Sequence, residues 1–174
     1  MLLFNKKKKN LENIYNKVVE QSKQSFYLIS NKEKKEELTL EFFQLNLILI
    51  LWYMRNNKLE KTHIDYLIKK FILDLENLFI EMGGSETSLR KKIRPIVENF
   101  YGRLYSYSLL FDKFYKLNDN LNFKKIIRKN FRYKVNVLLL DSYLKNNLIF
   151  LRKLKVLNFW ESDFFFCKTL VLSI

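Results

Sequence analysis

His63 is the only histidine of this chain and Cys167 its only cysteine, so acid–base or thiol chemistry would have to be built from one of each. Asp65 stands two positions after His63, and residues at i and i+2 face apart on a helix, which leaves no local acid–base pair. A surface histidine at the start of a helix is the plainer reading. Cys167 lies in an apolar tail with no second histidine to activate it, so it reads as a buried or lipid-facing thiol. A single cysteine also excludes an intrachain disulfide and a four-thiolate zinc site, and it suits a reducing compartment. Gly83, Gly84 and Gly102 are the only glycines, and they fit neither a dinucleotide fingerprint nor a phosphate-cradling loop. Asp74, Asn77 and Glu81 form an i, i+3, i+7 stripe that could face a cation, but a solvated helix face is much the plainer explanation. The expectation is a protein that is not an enzyme, with no metal site and no cofactor.

Charge is the more informative property. The 174 residues include 32 Lys and Arg against 18 Asp and Glu, a net charge of +14. That excess points to an acidic partner such as RNA, anionic lipid or an acidic protein face. The abundance of Lys, Asn and Ile offers a compositional origin as an alternative. From Leu121 to Lys155 ten basic residues face one acid, Asp141, a net +9. From Glu60 to Ser88 the acids Glu60, Asp65, Asp74, Glu76, Glu81 and Glu86 outnumber Lys61, Lys69 and Lys70. The charge is polarised along the chain. In the basic part, Phe123, Ile126, Ile127 and Phe131 share one side of a helix, while Lys124, Lys125, Arg128, Lys129 and Arg132 form a basic surface on the other. This is the pattern of a ribosome, RNA or membrane-surface contact and carries no signature of specific DNA reading.

The elements that must carry these groups are helical. With 16 Phe and 10 Tyr the chain has ample core material, and 3 Gly and 1 Pro leave few tight turns for an all-β fold. A first helix is expected from Leu11, with Asn10 as its cap and Ser22 to Ser25 as its end, followed by Phe26-Tyr27 and a polar connection. A second runs from Thr39 as cap to about Arg55. Its stretch Leu47 to Met54 is apolar all round, but eight residues span only about 12 Å as helix, short of the ~20 residues a bilayer needs. A long, central, buried helix is the reading adopted. The third shows the stripe Ile64, Leu67, Ile68, Phe71, Ile72, Leu75, Leu78, Phe79 and Met82, opened by Thr62 and Asp65 as a capping box and stopped by Gly83-Gly84. Pro95 predicts a short helical turn, a break or kink, and then a long helix from about Pro95 to Leu117 with Ile96, Val97, Phe100, Leu104, Tyr107, Leu110, Phe111 and Phe114 inward. A fifth helix, capped by Asn120, and a sixth, from Val135 to Lys155 with Leu138, Leu139, Tyr143, Leu144, Leu148 and Leu151 inward, complete the set. The expected fold is all-α, a single helical domain of about six helices over residues 10–155, with a basic N-terminal tail at 1–9 and an apolar tail at 156–174. The opening Met1-Leu2-Leu3-Phe4 precedes its lysines, the reverse of a secretory signal.

The segment Glu81-Met82-Gly83-Gly84-Ser85, followed by Leu89-Arg90-Lys91-Lys92-Ile93, resembles the ubiquinol-cytochrome c chaperone family, in which a Met-Gly helix end leads into a basic turn. About 17 residues on, Phe100-Tyr101-Gly102-Arg103 is similar to that family's Phe-Tyr-Gly-Arg signature, with Tyr107 one turn later. Ile14-Tyr15, Val18-Val19, Gln21, Phe26-Tyr27 and Arg128-Lys129-Asn130 fall in the family's order, and Pro95 stands where the family continues a helix. The likeness spans roughly residues 11 to 155 and looks like an alphaproteobacterial-type member. It implies a non-enzymatic assembly chaperone of respiratory complex III that binds newly made cytochrome b. Further partners implied are a second assembly factor, the ribosome or an anionic membrane surface. The implied place is the bacterial cytoplasm, peripheral to the inner membrane, or the matrix side of a mitochondrion. The residues it marks for client or partner binding are Phe26, Tyr27, Lys91, Lys92, Arg94, Phe100, Tyr101, Gly102, Arg103 and Tyr107. For the aromatic residues among them core packing is the competing role, and for Arg103 a buried charge pair. Gly102 is expected to allow a close helix crossing.

Overall fold

The computed structural model describes the backbone of residues 2–29, 35–117, 121–131 and 135–161, and the side chains of residues 8–23, 38–85, 88–117, 121–131 and 135–160. Among the described residues seven helices follow one another: α1 (Leu2–Ile29), α2 (Lys35–Asn56), α3 (Lys61–Glu81), α4 (Glu86–Lys116), α5 (Lys124–Asn130), α6 (Val137–Lys153) and α7 (Val156–Glu161). The all-α expectation holds, with no strand among the described residues. None of the described helices is long and apolar enough to cross a membrane.

Helix α2 is the axis of the bundle. Every residue from Glu41 to Met54 is buried, because α1, α3, α4 and α6 all pack on it. That is why its sequence shows no polar face. The antiparallel neighbour α1 presents Leu11, Ile14, Tyr15 and Val18 to it, each at most 4% exposed. Their spacing is the i, i+3, i+4, i+7 of one helix face. Asn46, fully buried in the middle of α2, donates to the Ser22 hydroxyl at 3.2 Å and accepts from the Tyr143 hydroxyl at 2.7 Å. Gln21 donates to that same hydroxyl at 3.3 Å. A buried polar group left alone costs about 1–3 kcal/mol; here each satisfies another, and α1, α2 and α6 are locked in register.

Several local expectations are corrected. Asn10 lies inside α1, which runs unbroken through Ser25 to Ile29, since no Gly or Pro interrupts residues 2–29. Thr39 is likewise inside α2, which starts at Lys35. The Thr62–Asp65 capping box does not form: Glu60 occupies the cap position, its side chain not capping the backbone, and Thr62 is already helical. His63 is buried, 5.3 Å from the ring of Trp160 and 3.6 Å from the Glu60 carboxylate, rather than at the surface. Leu78 and Met82 end the α3 stripe in solvent, 52% and 74% exposed. The stop itself is as read. Gly83 has φ +83°, the left-handed conformation, and a Cβ on Gly84 would meet the Phe79 ring at 2.1 Å.

Pro95 does not divide α4, which is continuous over 31 residues. Proline inside a helix removes one hydrogen bond and costs about 3 kcal/mol. Buried Ile93 and Phe100 anchor the helix on both sides of it, and the Lys91 carbonyl that loses its donor lies on the exposed face, where water can bond it. Asn120 lies outside the described residues, and α5 starts at Lys124 after Phe123. Helix α6 is capped by Asn136, whose side chain accepts from the backbone of Leu138 and Leu139 at 3.1 Å each. Its inward register uses fully buried Leu140, while Leu138 is 63% exposed.

Candidate functional site: the two faces of helix α4

The run Phe100-Tyr101-Gly102-Arg103 advances about 100° per residue around α4, so it is shared between two environments. Phe100 is fully buried against Phe71, ring centroids 4.9 Å apart. Arg103 is 6% exposed and donates to the Gln44 side-chain oxygen at 2.9 Å, the Glu41 carboxylate at 3.3 Å and the Asn130 backbone carbonyl. It ties α4 to α2 and to the end of α5. Tyr107, one turn on, is also buried, and burial pushes its hydroxyl well above the ordinary tyrosine value although the Arg103 charge pulls it back. Phe100, Arg103 and Tyr107 are therefore buried in the packing of the bundle and present no surface. Arg103 belongs to the buried charge pair considered above.

Tyr101 and Gly102 face outward. Tyr101, Tyr105 and Leu109 are 48%, 70% and 45% exposed and follow one another at i, i+4, i+8, which stacks them on one helix face. They form one wall of a groove of about 360 Å³ whose other side is Leu51, Trp52 and Ile64, with Arg55 at its edge. The lining is overwhelmingly apolar. Tyr105 and Leu109 went unremarked in the sequence, although their spacing from Tyr101 was legible there.

The same strip continues towards the start of α4. Lys91, Arg94, Glu98, Tyr101, Tyr105 and Leu109 are separated by 3, 4, 3, 4 and 4 positions and, because α4 is unbroken, lie on one face. Lys91 is exposed, and Arg94 pairs with Glu98 at 2.6 Å in the open. Lys92 is exposed on the adjoining flank. The expected close crossing at Gly102 is absent among the described residues: a Cβ there would meet none of them within 4 Å. Glycine in mid-helix costs about 1 kcal/mol relative to alanine, and no internal packing answers for it here.

At the far end of the groove Trp52 donates to Asp112 at 2.8 Å, and Arg55 grips both oxygens of that carboxylate at 2.6 and 2.8 Å. This fixes the rim between α2 and α4. Elsewhere, α5 is basic and amphipathic as read: Ile126 and Ile127 are buried, Lys125, Arg128 and Lys129 are exposed and Lys124 is half-buried. Arg132 lies outside the described residues, as do the side chains of Phe26 and Tyr27, whose backbone is in α1. Asp74 of the acidic stripe on α3 is paired with Lys70 at 2.5 Å.

No curated protein and no solved structure matches the chain. A family model described as Ubiquinol-cytochrome C chaperone matches residues 35–155, well over half of the chain and the whole of α2 to α6.

Proposed function

Because the chain belongs to the ubiquinol-cytochrome C chaperone family, we propose that it is a non-enzymatic assembly chaperone of respiratory complex III that holds newly made cytochrome b. The observation that carries the client surface is the apolar groove on the outward face of α4. A membrane protein awaiting insertion or partners exposes apolar helix, and an apolar groove with a rigid aromatic wall receives such a helix by burying its hydrophobic face. Tyr101 and Tyr105 suit this task because aromatic side chains bring large area with few rotatable bonds. Lys91 and Arg94 lie on the same strip and supply charge beside it. Gly102 supports the reading too, since the open space above it admits a partner's backbone at close range.

Two linked measurements test this. Removing the gene should lower assembled complex III while leaving its transcripts unchanged, and a tagged chain should retain newly made cytochrome b. The double variant Tyr101→Ser/Tyr105→Ser should lose that client with a stability change within about 1 kcal/mol, as both side chains are largely exposed. Normal complex III without the protein, or full retention by the double variant, would sink the proposal. A second reading rests on exposed Lys125, Arg128 and Lys129 of α5: a contact with the ribosome or an anionic membrane that brings the groove to its client, and weakens steeply with salt.

A further inference from the structure

The last described residues of the chain are pinned beside the apolar groove of α4. Phe159 is fully buried and packs on the ring of Tyr53, centroids 4.8 Å apart, and Trp160 meets the ring of His63 edge-on at 5.3 Å. Tyr53 is the chain neighbour of Trp52 and His63 that of Ile64, and both Trp52 and Ile64 line the groove. Helix α7 ends at Glu161. Two aromatic contacts thus hold the start of the remaining chain within one position of the groove lining on α2 and on α3.

Residues 162–174 lie outside the described residues, and their composition is what an apolar groove takes up. Phe164, Phe165 and Phe166 are followed by Leu170, Val171 and Leu172, and Asp163 and Lys168 are the only charged side chains. The groove is equally short of free charge: Arg55 at its edge is held by both oxygens of Asp112. Length is sufficient. Tyr101 to Leu109 covers about 12 Å of helix, and the segment reaches about 20 Å as helix or about 40 Å extended.

We propose that the chain's own segment 162–174 docks its phenylalanines in this groove and that a client must displace it. The docking stands on the groove and the segment alone, whereas the competition rests on the reading of the groove as the client site. Because the segment is tethered, its effective concentration at the groove is about millimolar. A contact with a dissociation constant of about 0.1 mM therefore fills the groove about nine-tenths of the time and lowers its apparent affinity for a client about tenfold. Bare apolar surface invites unspecific association; a weak intramolecular cover blocks that and still yields to a helix that binds more tightly.

Cys167, the only cysteine, lies within the segment and takes a nitroxide label without further substitution. In the full-length labelled protein the nitroxide should erase the NMR amide signals of Tyr101, Tyr105 and Leu109 and spare that of Leu89, about 30 Å from Leu109 along the same helix. Phe164→Ser/Phe165→Ser/Phe166→Ser should restore the three signals. The same triple variant should bind a labelled helical peptide with one leucine face and one glutamate face about tenfold more tightly than the parent chain. An intact Leu109 signal in the labelled parent would overturn the docking. Signal loss that appears only when spin-labelled and isotope-labelled chains are mixed would assign the segment to a second copy and overturn the intramolecular contact. A docked segment with peptide affinity unchanged in the triple variant would overturn the competition. Full retention of cytochrome b by Tyr101→Ser/Tyr105→Ser overturns the client reading alone, because the nitroxide measurement contains no client.

Discussion

Four consecutive residues of α4 serve opposite ends. Phe100 and Arg103 point into the bundle, where one fills space and the other joins three elements through polar bonds. Tyr101 and Gly102 point away from it, where one exposes an aromatic ring and the other exposes nothing at all. A single sequence signature is thus divided between positions that build the core and positions that stay at the surface. The contrast teaches that a run of motif residues on a helix is not by itself a surface; only every third or fourth position of it is.

That division can be broken from the inside with the largest effect. Arg103→Ala removes the guanidinium that bonds Glu41, Gln44 and the Asn130 carbonyl and should cost about 3–5 kcal/mol, read as a fall in the denaturant midpoint. Combining Glu41→Leu with Arg103→Met should recover a substantial part of that loss, because removing one half of a buried pair costs more than replacing both halves by apolar groups. If Arg103→Ala left stability intact and removed only client binding, the inward assignment would be wrong.

From the outside the sign reverses. Gly102→Ala should raise stability by about 1 kcal/mol, since mid-helix glycine is replaced where a Cβ meets nothing, and it should weaken capture of cytochrome b. A more stable protein that binds less well is an outcome a purely structural glycine does not produce.

The smallest effect concerns protons and sharpens the inward side. Burial holds the hydroxyl of Tyr107 above its ordinary value and that of Tyr53 up to about 12. The folded chain therefore keeps these protons where the unfolded chain releases them. Stability is fully present below about pH 10 and falls as pH rises towards the folded values. At about pH 11 the loss from Tyr107 should be about 1 kcal/mol, and Tyr107→Phe should flatten that part of the alkaline decline in thermal melts.

Much of the molecule was legible in one dimension. The all-round apolar run Leu47 to Met54 requires neighbours on every side, and α2 has them. The stripe of α3 from Ile64 to Leu75 and the glycine stop after it were readable because period and backbone conformation are local properties. Of the break or kink expected at Pro95, the break is absent for the opposite reason: whether a proline ends a helix depends on the packing that anchors Ile93 and Phe100, and that packing lies elsewhere in the chain. Asn10 and Thr39 were read as caps on residue type, yet a cap exists only where the neighbouring residues are not helical.

The sequence by itself determined that this chain is helical, basic, poor in groups for catalysis and patterned like a cytochrome complex assembly chaperone. Those conclusions rest on composition, period and residue order, which need no coordinates. Only the tertiary structure decided which members of the motif face out of the bundle. Gln44, Glu41 and the Asn130 carbonyl draw Arg103 inward from positions 27 to 62 residues away, and the fixed 100° step of the helix then turns Tyr101 and Gly102 out.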